Sequence, residues 1–150
     1  MKGRINGMKH TFFRYSAFRM LVAASAAVWM GLVAEQAAFG QAKTVSEGVY
    51  TAAQADRGQK QYEATCAACH ETSQFTGNDF SVGWGGKPLF DLFDKVKTTM
   101  PEDNPGSLKP QQYADIISYF LKLNNFPAGQ TELKGDDESL KGVLIDKKGR

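Results

Sequence analysis

Apolar positions recur with a helical period at three places along the chain, and nowhere do they alternate as a strand-rich sheet would require. The clearest stripe is Tyr113, Ile116, Ile117, Phe120 and Leu121, with Asn124 on the same face. It predicts a helix from Pro110, which suits a first turn, to about Leu123, ended by Asn124-Asn125-Phe126-Pro127. A second helix is predicted from Ala52 to Thr65, capped by Thr51, with Ala55, Gly58, Tyr62 and Thr65 near one face. Gly58 costs that helix about 1 kcal/mol relative to alanine. A close crossing by another helix explains such a glycine; a tolerated surface position is the alternative. A third, short amphipathic helix is expected over residues 87–96, with Pro88 in its first turn. There Leu89, Phe93 and Val96 share a face and Phe90 lies beside them. The pattern predicts an all-α domain.

The stretches between are polar. Residues 71–86 read as a loop of Ser, Thr, Asn, Asp and Gly, interrupted by Phe75, Phe80 and Trp84. Aromatic side chains in a polar loop need an apolar surface to rest on. Residues 102–110 read as a Pro- and Gly-containing loop, and residues 41–50 as a lead-in. Residues 129–150 form a charged tail, in which Leu133, Leu140, Val143 and Ile145 can dock on the domain and residues 142–147 can form a short strand.

The N-terminus has a different character. Residues 1–19 carry Lys2, Arg4, Lys9, Arg14 and Arg19 and no acid, and Met20 to Ala34 is an uncharged run of fifteen residues. This is the pattern of a secretory signal, shorter than the roughly 18 residues of a spanning helix. Ala38-Phe39-Gly40 offers small residues for cleavage after Gly40, with Ala42 as a second candidate; an uncleaved anchor is the alternative. The chain is then divided into a signal over 1–40, a lead-in over 41–50, a domain over 51–128 and a tail over 129–150. Cleavage changes the charge. Five of the 18 Lys and Arg but only one of the 16 Asp and Glu lie in residues 1–40, so the formal net charge moves from +2 to −2. The basic balance belongs to the leader and does not argue for nucleic acid.

The chemistry concentrates in Cys66-Ala67-Ala68-Cys69-His70. C-x-x-C-H is the pattern of covalent c-type haem attachment: two thiols on one turn reach two vinyl groups, and the adjoining imidazole reaches the iron. Cys66 and Cys69 are the only cysteines, and His10, the only other histidine, lies in the leader. Zinc would need about four ligands and finds two thiolates, one imidazole and a borrowed carboxylate. A redox dithiol would want a strand before the motif, where the sequence predicts a helix. Met1, Met8, Met20 and Met30 also fall in the leader, which leaves Met100 as the one methionine outside it. A lone methionine often only fills core. Here Pro101 follows it at a helix end, and a Met/His pair is the electron-transfer ligation of haem iron, so Met100 is the candidate sixth ligand.

With these motifs in place, the chain resembles a class I c-type cytochrome. More narrowly, it is similar to the cytochromes and cytochrome domains associated with periplasmic quinoprotein (PQQ-dependent) dehydrogenases. The resemblance is carried by Trp84-Gly85-Gly86-Lys87-Pro88-Leu89, Asp91-Leu92-Phe93, Thr98-Thr99-Met100-Pro101, Pro105-Gly106-Ser107-Leu108, Gln112-Tyr113-Ala114-Asp115-Ile116-Ile117 and Asn125-Phe126-Pro127-Ala128-Gly129. It covers about residues 50–145. It implies three to four helices around one covalent haem, with Gly58 and Tyr62 matching the first helix and Ile116 and Tyr119 the last at a tight crossing. It implies a periplasmic carrier that takes electrons from a dehydrogenase and passes them to a terminal oxidase or another cytochrome. Such a carrier acts as a monomer with transient docking, without substrate chemistry and without a membrane segment after cleavage. Two rivals share the haem: a small-ligand binder or sensor, and a fixed subunit of a dehydrogenase complex. Two features depart from the family. No proline-leucine pair follows the motif to hold the His70 imidazole, and Lys109, a poor N-cap, stands where a serine usually opens the last helix.

Overall fold

The computed structural model describes residues 43–147. The leader, with His10 and its four methionines, lies outside the described residues. Helix α1 (Ala52–Thr65) begins where Thr51 accepts from the Gln54 amide at 3.1 Å, as the sequence predicts. Helix α2 (Gly77–Trp84) follows a 3-10 turn at Thr72–Phe75. Helix α3 spans Leu89–Thr99, α4 spans Pro110–Leu123 and the short α5 spans Asp137–Lys141. Two-residue strands β1 (Lys43–Thr44) and β2 (Val143–Leu144) pair in parallel, Lys43 opposite Val143. The domain is all-α, with that one short ladder tying its two ends together.

The framework is the crossing of α1 and α4. Gly58 and Asp115 meet there so closely that a Cβ on Gly58 would run into the Asp115 carbonyl oxygen. The glycine in α1 therefore answers a close backbone approach, as its position suggested. Every member of the predicted stripe on α4 is buried, and so are Ala114, Asp115, Ser118 and Tyr119 between them. A helix covered on nearly all sides needs partners on several faces. Helix α1 supplies one, α3 another, and the polar tail a third.

Asp115 anchors that third contact. Its carboxylate accepts from Gln54 Nε2 at 3.0 Å and Gln111 Nε2 at 3.1 Å and pairs with Arg57 at 3.1 Å. Gln54 and Gln111 also donate to the Leu133 carbonyl, at 2.8 and 2.9 Å, and Leu133 returns its N–H to Gln54 Oε1 at 2.7 Å. The buried Gln54 and the exposed Gln111 thus satisfy the backbone of the tail as it crosses the helices, as buried polar groups require. Leu133, Leu140, Val143 and Ile145 are all buried beyond that point. The residues expected as a lead-in are core from Val45 onward, with Val45, Val49 and Tyr50 buried and the Tyr50 hydroxyl donating to the Phe126 carbonyl at 2.7 Å.

Two details differ from the sequence reading. Residues 71–86 are not a loop but hold the 3-10 turn and α2. Phe80, every fourth residue with Trp84, supplies the buried contact that lets a Gly- and Asn-containing segment form a helix. Lys109 does not cap α4 with its side chain; instead Gln112 reaches back and accepts the Lys109 N–H at 2.9 Å, so the missing serine is replaced from the other side of the turn.

Candidate cofactor site

The chain leaves α1 through a tight turn that the motif itself forms. Cys66 and Ala67 both donate their N–H to the Tyr62 carbonyl, and Cys69 and His70 donate theirs to the Cys66 carbonyl at 3.1 and 3.0 Å. The turn brings His70 back under Cys66. Both cysteines are free thiols, Cys69 exposed and Cys66 half-buried. On the other side, Met100 ends α3, giving its N–H to Val96 at 2.9 Å. Its extended backbone (φ −130°, ψ 149°) is the conformation that a following proline enforces.

Cys66, Cys69, His70 and Met100 all line one cavity of about 690 Å³. Cofactor pockets run from about 300 to 1,000 Å³. Leu92 and Val96 from α3, Ile116 and Phe120 from α4, and Phe75 and Trp84 from the segment between give it apolar walls. Lys95, Glu102 and Asp103 add charge to its lining. Of the three aromatics placed in residues 71–86, Phe75 and Trp84 face the cavity, whereas Phe80 packs in the core near Phe126, ring centroids 6.5 Å apart. Among the described residues no three His, Cys, Asp or Glu side chains converge as a metal cluster. Thiols, an imidazole and a thioether around an apolar chamber match the donor set of a c-type haem.

Hydrogen bonds fix the backbone on both sides. Tyr62, on α1, donates its hydroxyl to the His70 carbonyl at 2.6 Å. Tyr113, on α4, donates to the Met100 carbonyl at 2.8 Å. Burial pushes the Tyr62 phenol above the ordinary tyrosine range, with smaller contributions from Cys66, Tyr119 and Glu71, so it remains a donor at neutral pH. The His70 ring lies edge-on to Phe75, centroids 5.5 Å apart, and its Nδ1 is 3.1 Å from Gln74 Oε1. The sequence reading included Tyr62 and Tyr113 only as packing residues and left Gln74 out. The position of Gln74 four residues after His70 was the available signal.

Residues 53–120 match the family model described as "Cytochrome C oxidase, cbb3-type, subunit III". The match runs from the start of α1 into α4 and takes in both the cysteine motif and Met100. The domain has the class I cytochrome c fold. No match was found among curated proteins or among solved structures. A cytochrome c domain implies covalently bound haem c and a role in carrying electrons. Among the described residues, no helix is long and apolar enough to cross a membrane.

Proposed function

We propose that the chain is an exported carrier of single electrons built on one covalently attached haem. The observation that carries this reading is that Cys66, Cys69, His70 and Met100 line the same apolar cavity. Cys66 and Cys69 would hold the porphyrin, and His70 and Met100 would be the two axial ligands. When bound, the haem supplies a one-electron ferric/ferrous couple whose potential a methionine ligand raises. The protein's share is positional. Tyr62 and Tyr113 hold the carbonyls of the two ligand residues from the two crossing helices. Leu92, Val96, Ile116 and Phe120 keep water from the chamber between them.

In this reading residues 1–40 direct export and are removed, and the mature protein works in the periplasm. Its electrons come from a dehydrogenase, of the quinoprotein type that the sequence resembles, and pass to a terminal oxidase or another cytochrome. Docking is transient and the carrier is a monomer. The family description names an oxidase subunit, which makes a fixed subunit the second reading. The segments outside the matched region favour the free carrier: β1 and β2 pair with each other, and Leu133, Leu140 and Ile145 are buried on the cytochrome domain itself. Replacing Met100 with alanine in the matured protein tests the electron-transfer assignment. The reading expects a lower reduction potential and an iron that binds carbon monoxide. A potential and spectrum unchanged by the substitution would remove Met100 from the site and favour the ligand-binding rival.

A further inference from the structure

The contact between His70 Nδ1 and Gln74 Oε1, at 3.1 Å, has a role beyond packing. An amide oxygen only accepts, so the ring nitrogen facing it carries the proton. Nε2 is then the unprotonated nitrogen, and His70 lines the cavity. Outer partners of this kind fix the tautomer and orientation of a metal-binding imidazole and raise its basicity. We propose that Gln74 is a positioning residue for His70, its side-chain amide oxygen accepting the hydrogen bond that Nδ1–H donates. The proposal rests on the haem reading of the site.

Gln74 is exposed, so its value depends on whether its own segment is held. It is. Gln74 sits in the 3-10 turn Thr72–Phe75 and gives its N–H to the Glu71 carbonyl at 3.1 Å. The next residue, Phe75, stacks on Phe120 of α4 with ring centroids 4.5 Å apart and planes 10° from parallel. Asn124, at the end of the same helix, donates to the Phe75 carbonyl at 2.8 Å and accepts the Gly77 N–H at 3.0 Å. The turn that carries Gln74 is thereby clamped, just after Gln74, to the best-buried helix in the domain and the residue that follows it. A glutamine differs from an acidic partner in two ways. It adds no charge beside the iron, and it does not titrate, so its hold on the imidazole is the same across the physiological pH range.

The test uses the full chain, matured in a host with periplasmic haem-attachment machinery, as wild type and as Gln74→Leu, Gln74→Glu and Ser73→Glu. Haem staining after denaturing electrophoresis reports attachment, and redox titration reports the potential. Losing the acceptor in Gln74→Leu makes the imidazole a poorer donor to ferric iron and raises the potential. Gln74→Glu keeps an acceptor, strengthens it and lowers the potential. Ser73→Glu adds the same charge one residue away, without an acceptor on the ring, and measures the purely Coulombic part. The expected order is Gln74→Leu above wild type, and Gln74→Glu below Ser73→Glu. The shifts reach up to about tenfold in the ferrous-to-ferric ratio, roughly 59 mV for one electron. Should Gln74→Leu fail to mature, the comparison of Gln74→Glu with Ser73→Glu decides alone. Haem-loaded variants whose potentials coincide, Gln74→Leu with wild type and Gln74→Glu with Ser73→Glu, would overturn the role of Gln74 and leave the haem reading intact. A wild-type chain without attached haem would overturn both.

Discussion

The Tyr113 hydroxyl donates to the Met100 carbonyl at 2.8 Å, joining the first turn of the domain's best-buried helix to the residue that ends α3. The loop after Met100 is exposed from Glu102 to Ser107, so this bond is a main restraint on the methionine arm. Tyr113→Phe should cost about 1 kcal/mol, the usual net worth of such a bond. It should also loosen the arm. Thermal unfolding and the reduced spectrum with and without carbon monoxide check this together: a lower melting temperature is expected, with a carbon monoxide-shifted fraction that the wild type lacks. A spectrum that carbon monoxide still leaves unchanged would mean that the bond does not hold the arm.

Gly58→Ala tests the crossing. The added methyl meets the carbonyl of Asp115, part of a helix backbone that is packed on several sides and cannot swing away as a flexible side chain would. Overpacking typically costs about 1–3 kcal/mol. The expected loss lies at the upper end of that range or beyond, measured by denaturant unfolding of the haem-loaded protein. A neutral substitution would contradict the closeness of α1 and α4.

Much of this framework was legible in the sequence. The α1 and α4 boundaries, the Thr51 cap, the α4 stripe and the glycine at the crossing all follow from local periodicity and propensity. Residues 71–86 were not legible. Gly77, Asn78 and Ser81 are weak helix formers, and α2 exists because Phe80 finds a buried place beside Phe126, a contact no local pattern encodes. Strand β2 falls inside the short strand expected over residues 142–147, but its partner β1 was not legible, because the pairing depends on residues a hundred positions apart meeting. In the site, the C-x-x-C-H motif and the methionine before a proline announced themselves. The tyrosines did not, because a buried tyrosine at a stripe position looks the same whether or not its hydroxyl has a distant carbonyl to hold.

The tail should matter to the site side of the domain as well as to its stability. Ile145 gives its N–H to the Lys87 carbonyl at 2.9 Å and takes the Gly86 N–H at 2.7 Å, just after Trp84 and just before α3. Truncation after Gly142 removes those bonds, the partner of β1 and the buried Val143 and Ile145. Hydrogen exchange should show the Gly86 amide losing its protection. Global stability should fall by about 2–5 kcal/mol, on the scale of one large buried aliphatic side chain removed. Unchanged exchange at Gly86 would mean that the tail does not restrain this loop.

Acid should loosen the same end of the molecule. Asp146 accepts the Ser46 N–H at 2.9 Å. Burial by itself pushes the Asp146 carboxyl up, but hydrogen bonds from Ser46 and Thr44 outweigh it and hold the group below the usual carboxylate range. A carboxylate with a depressed folded value contributes stability that is complete above its unfolded value, about 3.9, and is lost as the pH falls through the folded one. Exchange of the Ser46 amide should therefore rise on acidification below about pH 4, beyond the intrinsic change in exchange rate. Asp146→Asn should remove that step. An acid response that persists in the asparagine variant would assign it to another group.

The central claim is that the two cysteines, His70 and Met100 together hold one covalent, six-coordinate haem. The most direct measurement is the reduced absorption spectrum of the matured full chain, recorded with and without carbon monoxide. A c-type spectrum that carbon monoxide leaves unchanged is the predicted result. A c-type spectrum shifted by carbon monoxide would contradict the closed Met100 site and turn the account toward ligand binding. A chain without haem, from a host that matures a control cytochrome, would contradict the account at its root.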